Sequence, residues 1–172
     1  MIETHLNGTR VGSGTQLAVT APGVSATFDG SKTTLDFSKV INYVEVAISI
    51  AEMKALAASQ KALVAAPGAG YVLEFISAVF IYDYAAVFTE SADNLVIRFT
   101  DGSGAAVSTT LETTGLLDAT SDQLRTFKPI TTDLTPVAKT ALVLDNDGDG
   151  EFGGTGSPCR IKVAYRVHAT GL

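Results

Sequence analysis

Residues 159–168 alternate strictly. Ile161, Val163, Tyr165 and Val167 interleave with Arg160, Lys162, Ala164 and Arg166. Successive side chains of a strand point to opposite faces, so this segment has one apolar face and one that is basic to small. The same period of two runs through residues 44–50 and 94–100, where Leu95, Ile97 and Phe99 share a face. Residues 71–84 (YVLEFISAVFIYDY) are almost continuously apolar and aromatic, which reads as a central strand bent by a bulge. Residues 62–66, 105–111 and 140–145 read as further strands. Pro67-Gly68-Ala69-Gly70 and Asp101-Gly102-Ser103-Gly104 punctuate them as turns. One helix is expected, over residues 50–58. Ser49 followed by Glu52 makes a capping box, and Met53, Lys54, Ala55, Leu56 and Ala57 are good helix formers. Residues 113–129 read as a polar connection, with a helical turn starting at 119–122. Strands in this number, Gly-rich turns and almost no helical periodicity predict an all-β chain. The expected architecture is an antiparallel β-sandwich of jelly-roll type.

Residues 1–40 differ from the rest. Asn7-Gly8-Thr9, Gly12-Ser13-Gly14, Ala21-Pro22-Gly23 and Asp29-Gly30-Ser31 break the segment into short alternating pieces such as residues 16–20 and 34–37. This region is expected to be an extended N-terminal arm tied down by neighbouring subunits, with the sandwich domain over residues 41–172.

Composition excludes several functions. Charged residues make up 17% of the chain, against roughly 25% in an average soluble domain. Hydrophobic residues reach 46%, so the chain is not of the disordered type. A net charge of -6 argues against a nucleic-acid partner, because it repels phosphates. No apolar run approaches the roughly 20 residues of a membrane helix. The opening Met-Ile-Glu-Thr-His has neither a basic start nor an apolar run, so no signal peptide is expected. Cys159 is the only cysteine, which excludes a disulfide scaffold. So few surface charges predict that part of the apolar surface is hidden in contacts between copies, so a homo-oligomer is expected.

Motifs for chemistry are sparse. Asp145, Asp147 and Asp149 alternate, with Gly150 at the sixth place, as in a calcium loop. The twelfth place holds Gly156 where the bidentate Glu belongs, and a strand precedes the loop. A calcium site and an acidic hairpin tip are both open readings, and the missing ligand favours the tip. Gly148, Gly150 and Gly153 match a dinucleotide fingerprint, but Asp147, Asp149 and Glu151 would repel a pyrophosphate and no helix can start at residues 153–158. Nucleophilic catalysis would need Cys159 beside His5 or His168, and Cys159 reads more simply as a small core residue. The carboxylates Glu74, Asp83, Glu90 and Asp93 show no spacing that selects an acid–base pair. Tyr71, Tyr82, Tyr84 and Phe88 could stack on sugar, but read first as core or interface. No enzymatic activity and no cofactor are expected, apart from the calcium reading.

The stretches 63–70 (LVAAPGAG), 71–79 (YVLEFISAV), 94–104 (NLVIRFTDGSG), 150–154 (GEFGG) and 165–172 (YRVHATGL) resemble a family of small proteins encoded in tailed-bacteriophage and prophage genomes. The resemblance covers about residues 50–172 and leaves the arm unmatched. It implies a virion structural protein of the capsid-decoration or head-fibre size class, made in the bacterial cytoplasm and built into the virion. Its partners would be its own copies, in a homotrimer, and the major capsid protein or other virion neighbours. It carries over no catalytic residue, and the Asp-rich residues 145–149 depart from the family pattern. The alternative expectation is a tail or fibre module that binds host-surface glycan.

Overall fold

The computed structural model describes residues 2–6, 9–14, 25–28, 33–36 and 40–170, except 90–92, 101–103, 132–133, 136 and 149. The chain divides into two units, Met1–Val40 and Ile41–Leu172.

The first unit holds two antiparallel hairpins. Strand β1 (Ile2–Leu6) pairs with β2 (Thr9–Gly14), and β3 (Ser25–Phe28) pairs with β4 (Thr33–Asp36). Gly12-Ser13-Gly14, expected as a turn, lies inside β2 opposite Ile2, Glu3 and Thr4. Pairing with a partner strand outweighs the weak strand preference of glycine. The strand expected at residues 16–20 and the turns at 21–23 and 29–31 lie outside the described residues.

The second unit runs β5 (Asn42–Ile48), α1 (Ile50–Lys54), β6 (Lys61–Val64), β7 (Tyr71–Tyr82), β8 (Phe88–Thr89), β9 (Leu95–Phe99), β10 (Gln123–Phe127), β11 (Leu142–Asn146), β12 (Gly153–Gly154) and β13 (Cys159–Ala169). One sheet has the order β10-β7-β13-β5 and another β6-β11-β9. Residues 105–111 extend the second sheet through the bridges Leu95–Leu111 and Arg98–Ala106. Number the main strands in chain order, counting 105–111 as the fifth. The sheets then read sixth-third-eighth-first and second-seventh-fourth-fifth, which is the jelly-roll strand order. All described strand pairs are antiparallel.

Alternation places the core. Ala78, Phe80 and Tyr82 of β7, Cys159, Ile161 and Val163 of β13 and Phe127 of β10 face inward, and all are buried. They join one cluster with Leu95, Ile97, Phe99, Leu142 and Leu144 of the other sheet. The expected bulge is in β7. Ala164 lies opposite Ser77 and Tyr165 opposite Phe75, so Ile76 is the extra residue. It resets the alternation, and Phe75 and Leu73 therefore still face inward beyond it.

Helix α1 starts as its capping box requires. Glu52 N–H donates to Ser49 Oγ (3.3 Å), and Ser49 N–H donates to Glu52 Oε2 (2.8 Å). It ends at Lys54, short of the expected residue 58. Ala58 N–H donates instead to the Glu151 carboxylate at 3.1 Å, so a long-range acceptor replaces the helical one. Residues 119–122 form no helical turn, and the stretch read as a polar connection contains β10. Among the described residues, no helix is long and apolar enough to cross a membrane.

Candidate interaction surface

The outward side of the four-stranded sheet is the most coherent surface the fold presents. Register builds it in rows. Leu124, Ile81, Arg160 and Ala47 lie side by side across β10, β7, β13 and β5. The next row is Thr126, Val79, Lys162 and Glu45, followed by Ser77, Ala164 and Tyr43. Tyr43 is 77% and Leu124 60% exposed, at opposite edges. These two are the most exposed of the large apolar side chains described.

A chain of ion pairs crosses the middle. Arg160 grips Asp83 with two parallel bonds, Nε to Oδ2 at 2.8 Å and Nη2 to Oδ1 at 3.1 Å. Its Nη1 reaches Glu45 Oε1 at 3.3 Å, and Lys162 Nζ reaches Glu45 Oε2 at 3.3 Å. The Arg160 guanidinium holds Asp83 below the usual carboxylate range. Arg160 and then Lys162 do the same to Glu45. These two cations and two carboxylates cancel, as do Arg166 and Glu74 further along the same two strands, so the paired charges of the face sum to zero within a chain of net charge -6.

At one end of the sandwich lies an apolar cavity of about 390 Å³, walled by residues that include Leu73, Phe75, Phe99, Val107 and Leu134. Glu74 and His168 stand in its lining, with His168 Nε2 2.8 Å from Glu74 Oε2 and Arg166 Nη1 3.4 Å from the same oxygen.

The acidic loop is tied into the domain. Asp145 is buried at the end of β11, with Arg98 Nε 3.1 Å from its Oδ2. Burial pushes its carboxyl pKa up, against bonds from Gln60 and the pull of Arg98. Asp147 Oδ1 accepts from Asn94 N–H at 2.6 Å. Asp93 Oδ2 accepts from Gly150 N–H at 2.8 Å. Asp149 lies outside the described residues. Among the described residues, no three His, Cys, Asp or Glu side chains gather as a metal set. A cation at Asp145 would have to compete with Arg98 for the carboxylate. No helix follows Gly148 and Gly150; the chain enters the short strand β12 instead.

The remaining catalytic candidates stand apart. Cys159 and His168 sit near opposite ends of β13, roughly 30 Å apart at the rise of a strand. Burial pushes the Cys159 thiol up to about 12, which disfavours the thiolate a nucleophile needs. The His5 side chain and Glu90 lie outside the described residues. Glu74 and Asp83 are separated by the length of β7 and each is engaged by its own cations. Tyr82 and Phe88 are core residues, whereas Tyr71 and Tyr84 are exposed near opposite ends of β7. These four aromatics therefore make no single stacking cleft.

The basic side of β13 is legible in the sequence, but its carboxylate partners are not. Glu45 and Asp83 reach Arg160 only through register, and no local spacing encodes that.

No family model and no curated protein matches the chain. Among solved structures, a chain of the cyanophage Pam1 capsid asymmetric unit is similar at 15% identity and a TM-score of 0.43, over 91% of this chain and 97% of that one.

Proposed function

We propose that this chain is a structural component of a bacteriophage virion: a decoration, or cement, protein that associates with its own copies and binds the assembled head. The observation that carries the reading is the eight-strand jelly-roll order, an architecture that recurs in viral capsid domains. A fold alone does not fix a function, so the site must support the same role. That support comes from a broad neutral sheet face and from the separation of Cys159 from His168 and of Glu74 from Asp83. The motifs in residues 50–172 that resemble phage proteins point the same way.

The mechanism is adhesive. The sandwich supplies rigid bulk, and the hairpins of residues 1–40 supply strand edges that can add to edges of neighbouring subunits. Many weak contacts repeated over a shell become strong through multivalency. The test is co-sedimentation of the purified protein with heads that lack it. Binding is expected for the full chain and expected to fall at least tenfold when residues 2–40 are deleted. Undiminished binding of the shortened chain removes the arm from the mechanism. No binding of the full chain overturns the reading.

A further inference from the structure

We infer that the outward face of the β10-β7-β13-β5 sheet is the surface on which a second copy of this chain docks. The inference deepens the reading above, since it names the face through which the copies associate.

Three observations select this occupant. The first is exposure: Tyr43 and Leu124 stand out at opposite edges of a pleated face, with Ile81 and Val79 half-buried between them. The second is charge. Arg160, Lys162, Glu45 and Asp83 satisfy one another within the face. A partner can therefore cover them without stranding an unpaired ion, the usual penalty for burying charge. A strongly basic or acidic partner gains nothing on a neutral face. With net charge -6, two copies repel except where such a neutral surface lets them meet. The third is area. Strands ~4.8 Å apart and a rise of ~3.4 Å per residue give a footprint of about 20 Å on each side. That is about 400 Å² in plan per copy; with the added relief of side chains, covering it by a like surface removes on the order of 1,000 Å² in total, about the threshold for a specific interface. Leu124 at one edge and Tyr43 at the other are then the apolar anchors, and each meets the neighbouring copy's sheet.

The experiment is sedimentation velocity on the full chain at tens of micromolar, on Tyr43→Glu, on Leu124→Glu and on Val137→Glu. Val137 is also exposed but lies outside this face. Far-UV circular dichroism checks that each variant is folded, and Tyr43→Ala with Leu124→Ala repeats the test without an added charge. The expected result is an oligomer for the parent and for Val137→Glu, with association weakened at least tenfold in the Tyr43 and Leu124 variants. A monomeric parent overturns the inference. So does an oligomer that all the face variants leave intact. Head binding is read in parallel. A monomeric parent that binds heads, and loses them on Leu124→Glu, assigns the face to the shell and leaves the virion reading standing. A parent that oligomerises through this face but ignores heads overturns that reading alone.

Discussion

At the scale of single residues, stability turns on a few buried polar groups and one backbone position. Ser157 is fully buried. Its Oγ accepts from the N–H groups of Ala85 (2.8 Å) and Ala86 (2.9 Å) and donates to the Ala86 carbonyl. Ser157→Ala leaves two backbone donors dry, at about 1–3 kcal/mol each when nothing replaces the acceptor. The expected loss in urea unfolding is therefore about 2–6 kcal/mol; a loss under about 0.5 kcal/mol would show that another acceptor takes over. Gly156 sits at φ +75°, and a Cβ there would come within 2.3 Å of the Phe88 ring. Phe88 is itself buried, so it has little room to retreat. Gly156→Ala is expected to cost about 2 kcal/mol or more, from a strained backbone together with overpacking. Thermal unfolding measures it.

At the scale of elements, the turn around α1 holds an acid-sensitive clamp. Lys61, then the Ser49 N–H and hydroxyl, hold the Glu52 carboxyl at about 2, down from 4.5. Its folded value is depressed, so its contribution is full above about pH 4.5 and drains away as pH falls toward 2. The carboxylate is substantially exposed, and solvent screening limits the contribution to about 1 kcal/mol or less. Glu52→Gln should therefore be slightly less stable than the parent at pH 7 and level with it near pH 2; a gap that persists at pH 2 would locate the effect elsewhere. This helix start was legible because a capping box is written in adjacent residues. Its end was not, because the acceptor that stops it, Glu151, comes from a distant loop. Strands β7 and β13 were legible for the same local reason: a continuous apolar run in the first and strict alternation in the second are written in adjacent residues. Strand β10 was hidden, since Gln123, Arg125 and Thr126 at a sheet edge need not be apolar, and only pairing with β7 makes them a strand. The interaction surface followed this rule too. Arg160 and Lys162 could be read off one strand, while Glu45 and Asp83 joined them through register alone.

At the scale of the whole molecule, the small charge inventory bears on assembly. Only 17% of residues are charged, and four of them neutralise one another on the outward sheet face. Self-association through that face has little attractive charge to lose, whereas the -6 carried by each copy opposes it at long range. Salt shortens the Debye length from about 10 Å at 0.1 M to about 3 Å at 1 M, so it screens that repulsion. The ion pairs within each face are held at contact distance inside one subunit and do not depend on the partner. Apolar contact around Leu124 and Tyr43 does not weaken with salt. Raising sodium chloride from 0.05 to 0.5 M is therefore expected to leave the association constant unchanged or to raise it a fewfold. Sedimentation equilibrium at the two concentrations measures this directly. A tenfold fall would mean that the copies are held by opposite charges across their interface, which a neutral face cannot supply, and the contact would then have to be sought on another surface.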